Sequence, residues 1–165
     1  MDLILWRHAE AEDGLDDLKR ALTPKGQRQA AQMAQWLKKN LPATTPATLR
    51  ILVSPSVRTQ QTAQALGWSF ETVNAFGPGA APGVLLAGAI ERMPLQADGQ
   101  VLIVGHQPTL GALAAHLLTG QPGNLSVRKG GVLWLRLNTP PTQFTGTATG
   151  LSGACLLAAM TPGLL

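Results

Sequence analysis

Apolar residues along the chain fall into short continuous runs separated by stretches that are apolar on one face only. Leu3-Ile4-Leu5-Trp6, Leu49–Val53 and Val101-Leu102-Ile103-Val104 are too short to cross a bilayer and stop at charge or turn residues, as buried strands do. Between the first two runs, Ala30, Met33, Ala34, Leu37 and Leu41 recur at helical spacing and predict a helix with one apolar face. Thr23 is the expected N-cap, and Pro24 suits the first helical position, where its missing N–H costs nothing. Lys38, Lys39 and Asn40 end this helix, and residues 42–46 read as a loop. Strand, helix, strand is a βαβ unit.

The pattern continues with a helix to about Leu66, for which Ser54 is the expected cap, and a weak strand over residues 70–73. A Gly/Pro segment over residues 77–83 has turn chemistry and no carboxylate. Helices are expected over residues 84–93 and from Pro108 to about Leu118, flanking the third apolar run. Two closing strands are expected over residues 131–137 and 154–160.

In open α/β sheets ligands bind outside the carboxyl ends of the strands. Three such ends carry groups suited to an anion. Arg7 and His8 follow the first strand and His106 follows the third. Arg58 lies in the first turn of the helix after the second strand, beside unpaired N–H groups and the positive end of the helix dipole. Each alone would be an ordinary solvated Arg or locally bonded His; their recurrence at three strand ends makes them candidates. His116, inside a helix, and Arg128-Lys129 are expected to be structural or solvated. Residues 10–20 form an acid-rich stretch, with Glu12, Asp13, Asp16 and Asp17, of the kind that covers a site or is simply solvated.

Composition narrows the classes. The 165 residues, 45% hydrophobic and 13% charged, suit one globular domain over 1–165 with no inserted cap. The excess of 13 basic over 9 acidic side chains favours anionic substrates, but the basic residues are scattered and give no nucleic-acid footprint. Cys155 is the only cysteine, which excludes an intramolecular disulfide and a thiolate zinc cluster. No basic leader segment or membrane span is read, so a cytoplasmic protein is expected. Asn124-Leu125-Ser126 matches a glycosylation sequon without a secretory context.

Two histidines and two arginines can transfer a phosphoryl group without a metal or cofactor. One neutral imidazole attacks in line and forms a phosphohistidine, the arginines bind the equatorial oxygens, and the second imidazole donates another hydrogen bond. Nearby arginines are expected to keep the nucleophile unprotonated.

These residues resemble the histidine phosphatase superfamily, the phosphoglycerate mutase-like group, and within it the small SixA-type phosphohistidine phosphatases. The resemblance rests on Arg7-His8-Ala9-Glu10, Leu22-Thr23-Pro24-Lys25-Gly26-Gln27, the stretch from Val53-Ser54-Pro55-Ser56-Val57-Arg58-Thr59 through Ala63, and Val104-Gly105-His106-Gln107-Pro108. It implies a three-layer α/β/α sandwich with a mostly parallel sheet, His8 as nucleophile, Arg7 and Arg58 as phosphate ligands, and His106 as the second pocket histidine. Ala9 stands where the family usually has Gly. Larger members carry a general-acid carboxylate between the equivalents of Arg58 and His106; residues 77–83 offer none here, leaving Glu10 and Glu12 as candidates near the nucleophile, with Glu91 further off. A phosphoramidate leaving group, more easily expelled once protonated, would need such an acid least. With no length for an inserted cap, an open, shallow site is expected. The substrate implied is a histidine-phosphorylated partner protein. The alternatives are a phosphatase for a small phosphomonoester and a phosphate-binding interaction module without turnover.

Overall fold

The computed structural model describes residues 1–41, 48–94, 99–138 and 153–165. The loop expected over residues 42–46 lies outside them. Six strands form one sheet: β1 (Asp2–Arg7), β2 (Leu49–Val53), β3 (Glu71–Thr72), β4 (Gln100–Gly105), β5 (Val132–Leu137) and β6 (Ala154–Met160), in the order β3-β2-β4-β1-β5-β6. The first four are mutually parallel, while β5 runs antiparallel to β1 and β6 antiparallel to β5. Among the described residues four α-helices accompany them: α1 (Pro24–Asn40), α2 (Val57–Gln64), α3 (Pro82–Glu91) and α4 (Thr109–Thr119).

Side-chain alternation along the strands builds two cores. Leu3 and Leu5 of β1 and Val101 and Ile103 of β4 join Leu85 of α3 and Leu110, Leu113 and Leu117 of α4 on one face. Ile4, Trp6, Leu102 and Val104 point the other way, against Met33, Ala34 and Leu37 of α1 and Ala63 of α2. Because β1 and β4 are buried on both faces, their middles, Leu3–Trp6 and Val101–Val104, are continuously apolar instead of alternating. The result is the expected three-layer sandwich.

Local signals explain the element ends. Thr23 Oγ1 accepts from the Gly26 N–H at 2.9 Å and caps α1, a contact worth about 1 kcal/mol. Gly26 is needed for another reason: a Cβ there would lie 1.9 Å from the Glu10 carbonyl oxygen, so the helix start could not pack on the segment after β1. At the start of β1, Asp2 ties it to β5: its buried carboxylate accepts from Trp134 Nε1 at 2.9 Å and from Arg136 Nε at 2.9 Å.

The cap expected at Ser54 is displaced. The helix begins at Val57 with Ser56 in the N-cap position, and it ends at Gln64, shorter than expected. Ser54 is left in the turn after β2, with its backbone N–H bonded to the Val104 carbonyl at 3.1 Å.

The topology fixes where a site can form. From β1 the chain crosses through α1 to β2, whereas from the adjacent β4 it leaves through α4 to β5, on the opposite face and in the opposite direction. Such a divergence opens a crevice at the carboxyl ends of the two strands. His8 and His106 are the residues that follow them.

Candidate active site

His8 is held by its own backbone before its side chain is considered. Its N–H donates to the Gly105 carbonyl at 3.1 Å and its carbonyl accepts from the Gly130 N–H at 3.0 Å, so β4 and the approach to β5 clamp it from both sides. The imidazole is 8% exposed, and Nδ1 lies 2.7 Å from the Ala9 carbonyl oxygen. A carbonyl can only accept, so Nδ1 carries the proton and Nε2 presents a lone pair.

His106 is bound differently. Its Nε2 lies 2.7 Å from Ser54 Oγ, and its Nδ1 is 3.4 Å from Arg58 Nη2. A guanidinium only donates, so Nδ1 is the acceptor and Nε2–H points to Ser54. The two rings are 5.3 Å apart, tilted by 56°.

Arg58 projects from the first turn of α2 and is 4% exposed. Its Nη1 donates to the Asp17 backbone carbonyl, and its Nη2 donates to Asp17 Oδ2 at 2.9 Å. Arg7, half-buried at the end of β1, donates from Nη1 to the Val127 carbonyl at 2.7 Å. The Nε–H groups of both arginines are buried and have no protein partner. Buried donors of this kind are normally satisfied, so the cluster has two N–H groups to offer an oxyanion.

Neighbouring segments hold these groups in register. Thr62 Oγ1 accepts from the Ala9 N–H at 3.1 Å and donates to the Arg58 carbonyl at 2.7 Å, tying the turn after β1 to α2. The carbonyl that receives Arg7 belongs to residues 121–127, which lie along α4. Gln107 Nε2 donates to Asn124 Oδ1 at 3.1 Å and the Leu125 carbonyl at 2.6 Å, and a Cβ on Gly111 would sit 1.9 Å from that carbonyl oxygen.

Electrostatics favour neutral imidazoles. Burial lowers the His8 pKa to about 3, with smaller contributions in the same direction from His106, Arg58 and Arg7 and an opposing one from the Ala9 carbonyl. The arginines expected to keep His8 neutral therefore act in the right direction, but loss of solvation is the larger cause. Burial and then Arg58 lower His106 to about 4, partly opposed by Asp17.

The four residues singled out at strand ends, Arg7, His8, Arg58 and His106, thus share one cluster. The candidate acids do not join it equally. Glu10 turns to the start of α1, accepting from Thr23 Oγ1 at 3.2 Å and pairing with Lys25 Nζ at 3.0 Å. The Lys25 contact chiefly holds its carboxyl below the usual range, so it is ionised. Glu12 is exposed, and its backbone carbonyl receives Arg20 Nε at 2.6 Å. Glu91 pairs with Arg92 at 2.7 Å. Sequence reasoning missed the contacts of Ser54 and Asp17. The 3-10 turn Asp17–Lys19 lies against Arg58.

The match to known proteins falls on this same apparatus. The model of the histidine phosphatase superfamily (branch 1) matches residues 3–74, which contain β1, His8 and Arg58. A phosphohistidine phosphatase SixA homolog of Haemophilus influenzae is 36% identical over 126 residues, covering 71% of this chain and 77% of that protein. The chain belongs to the histidine phosphatase superfamily. Within it the chain is of the SixA type, and its chemistry is that of a phosphatase hydrolase. The solved structure of the protein histidine phosphatase SixA complexed with tungstate superposes with a TM-score of 0.78, covering 99% of both chains at 24% identity, a likeness of fold. A SixA structure from Nakamurella multipartitia gives 0.74 at 29% identity, covering 98% of this chain and 95% of that one.

In this histidine phosphatase the departure at Ala9 carries no backbone cost. Among the described residues only glycines have positive φ, so Ala9 occupies ordinary conformational space, and the parts that matter are its carbonyl and N–H. Among the described residues no helix is long and apolar enough to cross a membrane.

Proposed function

We propose that this SixA-type chain hydrolyses phosphohistidine on a partner protein through a covalent phosphohistidine at His8, without a metal. The observation that carries the reading is the unprotonated Nε2 of His8 in one cluster with His106 and with two arginines whose buried Nε–H groups lack partners. The two arginines bind the equatorial oxygens, and Nε2 attacks phosphorus opposite the leaving nitrogen. A phosphate dianion beside His106 Nδ1 favours protonation there, turning that atom from an acceptor into a donor.

The substrate class follows from the acid question. Glu10, ionised and paired with Lys25, is poorly suited to give up a proton. A phosphohistidine protonated on its other ring nitrogen needs no donor: its P–N bond breaks, the departing nitrogen keeps the electron pair, and neutral imidazole leaves. Water then attacks phospho-His8 and releases inorganic phosphate. An exposed lone Cys155 suits a reducing compartment such as the cytoplasm.

Rapid quench with a labelled phosphodonor tests the mechanism. An acid-labile, base-stable adduct is expected on the native chain and not on His8→Ala. Turnover of a phosphohistidine peptide is expected to exceed that of sugar phosphates. The reverse preference would make the protein a phosphomonoesterase, and phosphate binding without any adduct would make it an interaction module.

A further inference from the structure

Asp17 touches the phosphate arginine yet has no part in the chemistry above. Its carboxylate and its backbone carbonyl both receive Arg58, from Nη2 and Nη1 respectively. The Arg58 side chain is 4% exposed and that of Asp17 50%, so Asp17 lies on the solvent side of Arg58. Its other partner is Arg20, whose Nη1 donates to Asp17 Oδ1 at 2.9 Å, and Lys19 is drawn off to Asp16 at 3.0 Å. A carboxylate at the entrance of an anion pocket opposes the binding of anions, so its presence calls for a reason.

We propose that Asp17 is a positioning and selectivity residue: it aims Arg58 into the pocket and disfavours small anionic phosphomonoesters relative to substrates whose leaving group is cationic. Two contacts on the outer edge of the guanidinium leave Nε, buried and unpartnered, for the phosphoryl oxygens. The negative charge stabilises a protonated phosphohistidine ring at the entrance, the form from which imidazole departs without an added proton. A sugar phosphate or carboxylated phosphomonoester gains nothing from Asp17 and meets its repulsion. Asp17 is itself unsuited to be the missing acid, because the Arg58 contact foremost holds its carboxyl below the usual range. This inference deepens the phosphohistidine reading and rests on it for the substrate.

Asp17→Asn separates the two roles, since the amide oxygen can still accept from Nη2 and the backbone contact to Nη1 is kept. With its charge removed, kcat/KM for a small anionic phosphomonoester is expected to rise or hold, while that for a phosphohistidine peptide falls. The ratio should collapse by about 1.5-fold to fivefold at low salt, the range for a half-exposed charge, and by less at high salt. Asp17→Glu should restore part of the ratio. Parallel losses on both substrates, or no change in either, would overturn the selectivity role.

Calorimetric titration with inorganic phosphate makes the test independent of turnover. Asp17→Asn is expected to bind phosphate about 1.5-fold to fivefold more tightly, by the same loss of repulsion. Unchanged or weaker binding overturns the proposal, even if the native chain proves inactive on phosphohistidine and the proposed function itself fails.

Discussion

The ends of β1 and β4 look alike in sequence, each an apolar strand running into a histidine, but the two imidazoles are held in opposite senses. His8 is fixed through Nδ1 by the carbonyl of the next residue, which leaves Nε2 with a free lone pair. His106 has both nitrogens engaged across the sheet, Nε2 by Ser54 and Nδ1 by Arg58. A ring held by one short local bond can present its other nitrogen to an electrophile. A ring held at both ends is suited to staying in place and donating. The division of roles proposed for the pair thus follows from who binds which nitrogen, since burial makes both rings neutral.

The comparison breaks most sharply at His8. If His8 is the nucleophile, as proposed, His8→Ala should abolish the phosphoenzyme and reduce turnover by at least about a thousandfold, since the nucleophile then has no substitute. His106→Ala should cost about a hundredfold, the scale for one donor to a transferring group, and should still form a detectable adduct on rapid quench. Equal loss of the adduct in both variants would remove the distinction between the rings.

Acid stability tests what the rings share. Both folded pKa values, about 3 and about 4, lie below the ordinary histidine value of 6.5. The folded state therefore keeps both rings neutral while the unfolded chain takes up protons as pH falls through 6.5. Stability is full above that value, declines as pH falls, and levels off below the folded pKa values. At pH 5 the expected loss is about 2 kcal/mol for each ring at most. Urea denaturation at pH 7 and pH 5 should show this loss in the native chain and a smaller one in His8→Asn or His106→Asn. A loss undiminished in both variants would place the acid sensitivity elsewhere.

How much of this was legible beforehand depended on distance along the chain. The central strands announced themselves because two-sided burial leaves long apolar runs in them, and Thr23 with Pro24 marked the start of α1 through contacts within one turn. The arginines and histidines could be nominated because strand ends in an α/β sheet converge. What could not be read were contacts chosen by the fold. Ser54 and Ser56 are both cap-type residues, and nothing local tells that Ser54 is taken by His106, 52 positions away. Asp17 sits in an acid-rich stretch without periodicity, and its partner is 41 positions on. The carbonyls of Ala9 and Val127, which orient His8 and Arg7, have no side-chain signature at all. Glu10 shows the converse: nearness in sequence to His8 made it a candidate, while its carboxylate faces α1.

Ser54 offers the finest test, because it touches only one of the two rings. Its hydroxyl is buried at 0% exposure and receives His106 Nε2–H at 2.7 Å. Ser54→Ala leaves that N–H in a dry site without a partner, at a cost of about 1–2 kcal/mol in stability. With the bond gone, His106 can rotate or adopt the other tautomer, and its Nδ1 no longer faces Arg58 in a fixed orientation. Turnover should fall about tenfold, in kcat more than in KM, since only a donor to the transferring group is loosened. His8 keeps its clamps from Gly105, Gly130 and Ala9, so adduct formation should slow without disappearing. Ser54→Thr, which preserves the hydroxyl, should recover most of the rate if its methyl is accommodated. An Ala variant that matches the native kcat would mean that His106 needs no anchor, and the contrast between the two strand ends would then rest on Arg58 alone.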